Sequence, residues 1–116
     1  MIKVKFKEKN GELVVSIKGH AMSAEAGKDL ICSAASILSY TLAQSVIRNE
    51  KLGCFKENPE IRMESGDFYI RCLPKTESDL AISKIYESFQ TILDGYRLLA
   101  ENFPNNISLE TDFDSV

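Results

Sequence analysis

The dipeptide Asn10-Gly11 lies between two runs of alternating residues, and no other local feature constrains the chain as strongly. In "IKVKFKEK" Ile2, Val4 and Phe6 fall on one side and Lys3, Lys5 and Lys7 on the other; "ELVVSIKG" repeats the period with Leu13, Val15 and Ile17. A period of two marks a strand with one buried face. Asn-Gly accommodates the two successive positive φ angles of a type I′ turn, so residues 2–18 are predicted to form a β-hairpin.

From Asp29 the period changes to that of a helix: Ile31, Ala34, Ala35, Leu38, Leu42 and Val46 recur at helical spacing until about Glu50, before "LGCF". Asp29, just after Gly27, suits the N-cap because its carboxylate can accept the unpaired amides of the first turn. Cys32 then falls at the third helical position, in a band of small residues with Ser36, Ser39 and Ala43. A second hairpin is predicted from the alternation of Ile61 and Met63 and then of Phe68, Ile70 and Cys72, around the turn residues Ser65-Gly66-Asp67. Pro74 stops that strand.

Residues 77–103 carry a broad i, i+3, i+4, i+7 stripe from Ile82 to Phe103, with Ser78 or Thr76 as the cap and Pro104 as the stop. A short strand, "ISLET", follows, and the acidic tail "DFDSV" is expected to fray. The order ββαββαβ predicts an α+β, two-layer sandwich: a mostly antiparallel sheet of about five strands with two long helices on one face. Residues 1–116 contain no repeat, low-complexity segment or linker, so one domain is expected. Its 116 residues, 44% hydrophobic and 27% charged, suffice for one core and not for two.

A net charge of −3 provides no general positive field, so the lysine stripe reads as a solvated strand face and no direct nucleic-acid partner is required. No apolar run approaches the ~20 residues of a membrane span, and the lysine-alternating start is unlike a signal peptide; no membrane partner and a cytoplasmic location are expected. Cys32, Cys54 and Cys72 are odd in number and lack CxxC spacing. Neither a disulfide framework nor a metal site is suggested, and no cofactor is called for. Cys54 and Cys72 read as structural thiols, and the stripe of Tyr86, Phe89, Tyr96 and Phe103 as core or dimer packing.

The chemistry-bearing stretch is "GHAMSAEAGKDLICSAAS", residues 19–36. His20, the chain's only histidine, is placed at the end of the second strand and Cys32 at the start of the first helix, with a loop between them long enough to bring them together. A helix N-terminus and an adjacent imidazole both favour a thiolate, and that pair could carry acyl transfer, with first-turn amides receiving an oxyanion. Asp29 serves equally as cap or as the group that orients His20. Spacing alone leaves the alternative standing, and standing ahead: a small core cysteine beside a surface histidine.

Taken together, Gly-His-Ala at 19–21 and G-K-D-L-I-C-S-A-A-S at 27–36 resemble the signature of the bacterial ribosomal-processing cysteine proteases, Gly-His-Ala followed by Gly-x-Asp-(apolar)-(apolar)-Cys-(small)-(small)-x-Ser. The likeness extends over the whole length, including the "YRLLAENFP" ending. It implies a homodimeric cytoplasmic cysteine endopeptidase that removes a short N-terminal extension from bacterial large-subunit ribosomal protein number 27 during ribosome assembly. By position, Cys32 resembles the nucleophile, His20 the general base, and Gly19, Gly27, Asp29 and Ser36 the supporting residues. Ser33 stands where many relatives are expected to carry alanine.

The family's extension ends in aromatic residues, so the resemblance implies an apolar groove, with Ser39 and Ala43 as candidates for its small wall and residues 21–28 as a candidate lid. Helix-to-sheet packing accounts for the small wall equally well. The alternative in another class is a noncatalytic ribosome-assembly binding module that uses the lysine stripe on ribosomal RNA. A weaker one is a thiol sensor, which would need Cys54 or Cys72 near Cys32.

Overall fold

The computed structural model describes residues 1–20 and 26–113, with residues 26–29 described as backbone only. Five strands and two long helices appear in the expected order: β1 (Ile2–Lys9), β2 (Glu12–Lys18), α1 (Ala26–Lys51), β3 (Glu60–Glu64), β4 (Asp67–Cys72), α2 (Asp79–Asn102) and β5 (Ile107–Thr111). Asn10 and Gly11 both take positive φ, 54° and 84°, so the β1–β2 turn is of the type its sequence specifies. The register then pairs Phe6 with Val15 and Val4 with Ile17, which puts both apolar rows on one face.

The sheet order is β3-β4-β2-β1-β5, antiparallel throughout except for β1 and β5, which run parallel with Ile2 opposite Ile107. The buried row of Ile2, Val4, Phe6, Leu13, Val15, Ile17, Phe68, Ile70 and Cys72 meets Ile31, Ala35, Leu42 and Val46 of α1 and Ile85, Phe89, Leu93 and Tyr96 of α2. The two helices therefore cover one face, as an α+β two-layer sandwich requires. The sheet's other face carries charge. Arg71 bridges Glu12 (2.8 Å) and Glu60 (3.5 Å), Arg62 bridges Asp67 (3.2 Å) and covers the Tyr69 ring, and Lys7 meets Glu110 (3.2 Å).

Ser78 caps α2, its hydroxyl accepting from the Ala81 amide at 3.1 Å, and Phe103 closes the C-terminal end. The helices pack tightly at Gly95, where an added methyl would lie 2.6 Å from a Leu38 methyl. Three sequence expectations are corrected here. Helix α1 begins at Ala26, so Asp29 is its fourth residue and not its N-cap; Ala26 and Lys28 are good helix formers, and Gly27 is tolerated between them. Phe113 belongs to the core and not to a frayed tail, packing against Phe6, Tyr86 and Phe89 while Asp112 accepts the Glu8 amide; only residues 114–116 of that tail lie outside the described residues. Residues Leu30–Lys51 of α1 are long and apolar enough by composition to cross a bilayer, a length the sequence reading underestimated. In this fold the buried side of that helix covers the sheet and α2.

Candidate active site

The β2–β4 pairing ends at Lys18 opposite Asp67, and one further bond, from the Gly19 amide to the Gly66 carbonyl (2.9 Å), carries the chain across the β3–β4 turn. Gly19 has φ of +99°, and a Cβ there would collide with the Met1 carbonyl oxygen, so only glycine fits this crossing. The Met1 ammonium donates to the His20 carbonyl at 2.8 Å. His20 is thus held two residues past the end of β2, its imidazole exposed over Gly66.

Across from it, α1 presents Cys32, half-buried, with Ser36 and Ser39 on successive turns. His20 and Cys32 line the same cavity, about 330 Å³, which opens between the start of α1 and the ends of β2, β3 and β4. Its apolar wall is Ile2, Ile17, Met63, Phe68 and the Tyr40 ring; its polar wall adds Ser36, Ser39, Glu64 and Asp67. One thiol, one imidazole, hydroxyls and carboxylates around an apolar slot form a set of groups competent for thiol acyl transfer.

Most of the sequence candidates converge on this cavity, and some do not. Gly19, His20, Cys32, Ser36 and Ser39 line it. Ala43, 1% exposed, belongs to the core and is not part of the cavity wall. Gly27 and Asp29 lie in the first turn of α1. The lid assigned to residues 21–28 falls partly outside the described residues, at 21–25, and its last three positions are helical. Because the helix starts at Ala26, Cys32 is its seventh residue. The unpartnered amides of a helix belong to its first turn, so neither they nor the strongest part of the dipole act at Cys32.

Sequence reasoning missed Tyr40, Met63 and Glu64 as cavity residues, and assigned Gly66 and Asp67 to a turn alone. Nothing local marks Met63 and Glu64, because the β3–β4 turn reaches His20 only through the sheet register; Tyr40 lies on α1, one residue past Ser39. Ser39 is doubly engaged. Its hydroxyl meets the Ala35 carbonyl (2.8 Å) and the Tyr96 hydroxyl (2.5 Å), which also reaches that carbonyl (2.8 Å). Burial pushes the Tyr96 phenol up to about 12, against the opposing pull of the Ser39 bond. Burial, followed by the charge of Glu12, pushes the Cys72 thiol up to about 12 as well. Among the described residues no three His, Cys, Asp or Glu side chains gather as a metal site.

The family model described as cysteine protease Prp matches residues 1–108. The chain belongs to the Prp cysteine protease family. Solved Prp relatives share its fold: the essential ribosomal processing protease Prp from S. aureus, in complex with a covalently linked product peptide, is 28% identical with a TM-score of 0.72, over 97% of this chain and 100% of that one. The same S. aureus protease in complex with a substrate peptide matches at 26% identity and a TM-score of 0.71, again over 97% and 100%. A protein from Streptococcus mutans is 28% identical at a TM-score of 0.67, over 96% of this chain and 93% of that one. A search of curated protein sequences finds no match.

Proposed function

We propose that residues 1–116 act as one cysteine-protease domain that processes a ribosomal protein, with Cys32 as nucleophile and His20 as general base. The observation that carries this is the cavity: in a member of the Prp family, the only histidine and the only half-buried cysteine face one slot from opposite elements. The S. aureus relative bound to a covalently linked product peptide supports a covalent route.

In that route the imidazole of His20 takes the Cys32 proton and the sulfur attacks the scissile carbonyl carbon, forming a C–S bond. Collapse breaks the C–N bond as the imidazolium protonates the departing amine, leaving a thioester and a free new N-terminus. Water, deprotonated by the imidazole, then attacks the thioester and releases the carboxylic acid and the thiol. Gly19 shapes the crossing that delivers His20, Ser36 and Ser39 line the slot beside Cys32, and Gly27 and Asp29 lie in the first turn of α1.

The substrate in this reading is the N-terminal extension of bacterial large-subunit ribosomal protein number 27. Its aromatic end would enter the slot beside Tyr40, Met63 and Phe68, apolar side chains suited to rings. Cytoplasmic residence and assembly as a homodimer belong to the same reading, and sedimentation velocity tests the latter. The deciding experiment incubates the protein, and separately Cys32→Ala, with a peptide spanning the end of that extension, and identifies products by mass spectrometry. One defined cut by the parent and none by the variant is the expected result. Binding without a cut by either protein would favour the assembly-module reading.

A further inference from the structure

The turn opposite the cysteine helix bears on the histidine directly. A methyl carbon at Gly66 would lie 2.9 Å from Cε1 and 3.2 Å from Cδ2 of His20, and nearer still to Nε2. The ring thus occupies the space where any other residue would put its Cβ. Gly66 also accepts the Gly19 amide through its carbonyl, and the Met1 ammonium holds the His20 carbonyl from the other side. The backbone of His20 is tied on both flanks while its side chain rests on a bare Cα.

We infer that Gly66 is a positioning residue: its missing side chain forms the seat that aims the His20 imidazole into the cavity shared with Cys32. The inference rests on the proposed role of His20 as general base. A Cβ at Gly66 has to displace the ring by roughly an ångström to restore ordinary contact, and a shift of that size in a catalytic group is enough to cost up to about a hundredfold in rate. His20 is exposed, so moving its ring costs the fold little while it costs the reaction its alignment.

Gly66 has a positive φ of 72°, so Gly66→Ala adds backbone strain as well as the Cβ. Two further variants separate these effects. Gly66→Asn carries the same Cβ but tolerates the left-handed region. Gly53→Ala imposes comparable strain at φ +76°, where the nearest foreign atom is the tip of Lys75 at 3.8 Å. Because the chain has one histidine, its ring protons are assignable without ambiguity by NMR.

The expected result is a cross-relaxation signal between the His20 ring and the Gly66 α-protons in the parent, and shifted ring resonances in both Gly66 variants. With the ribosomal-protein peptide above, kcat in those variants should fall about tenfold or more while KM stays within about twofold, and Gly53→Ala should match the parent. Absence of the cross-relaxation signal, or Gly66 variants within about twofold of Gly53→Ala in kcat, would overturn the positioning role. His20→Ala with undiminished cleavage would instead overturn the general-base assignment, while the cross-relaxation measurement would still decide whether Gly66 seats the ring.

Discussion

Tyr96 carries a hydroxyl into the layer between α2 and α1, where it shares the Ala35 carbonyl with Ser39. Two hydroxyl protons serve three contacts there, so removing one oxygen leaves the others able to pair. Tyr96→Phe should therefore cost only about 1 kcal/mol at neutral pH, read as a urea-denaturation midpoint. Alkali reverses the advantage. The unfolded phenol ionises at its ordinary 10.0 and the folded one at about 12, so the stability tied to its neutral form is complete below pH 10 and is lost as pH rises towards 12. Cys72 adds a similar loss from 9.0 to about 12. Urea midpoints should fall steeply between pH 9 and 12, and Tyr96→Phe should flatten the upper part of that fall by an amount on the order of 2 kcal/mol. The same burial makes the thiols unequal: brief iodoacetamide treatment at pH 8 should label Cys32 before Cys54 and Cys72, as peptide mass spectrometry of the product would reveal.

At the scale of elements, local chemistry was legible where one or two residues decide a conformation. Asn10-Gly11 predicted its turn, and of the two candidate caps, Ser78 and Thr76, it is Ser78 that caps α2; Ser78→Ala should lower stability by about 1 kcal/mol, a drop of a few degrees in Tm by calorimetry. The start of α1 was not legible, because Ala26-Gly27-Lys28-Asp29 contains residues compatible with both helix and loop, and an acidic residue is as much at home in a first turn as at a cap. Contacts between distant segments left no local trace either. Gly95 reads as a weak point in a helix, but it is the notch for Leu38; Gly66 reads as a turn residue, but lies under His20, 46 positions earlier in the chain. The candidate pair was legible through the family resemblance of residues 19–36 and not through spacing alone, whereas the facing wall of Met63 and Glu64 emerged only from the register of β4 on β2 and β3, and Tyr40 from the cavity's extent along α1.

Over the whole molecule, one face of the sheet is sealed by helices and the other is an exposed set of ion pairs. The lysines of β1 alternate on that open face, but Glu110 of β5 meets both Lys5 and Lys7, and Arg62 and Arg71 are engaged by Asp67, Glu12 and Glu60. Such a surface holds no continuous positive field. A ribosomal RNA fragment should therefore show no saturable binding by fluorescence anisotropy at about 0.15 M salt, where the screening length is about 8 Å. The parallel pairing of β1 with β5 has a different consequence, one in time. During synthesis β1 has β2 at one edge almost at once, but its other edge must wait for residues 107–111, roughly 5–20 s later at ordinary translation rates. The nascent chain spends that interval with an open strand edge and an unsealed core, so this fold closes only when β5 arrives, and the free edge of β1 stays open to wrong pairing until then.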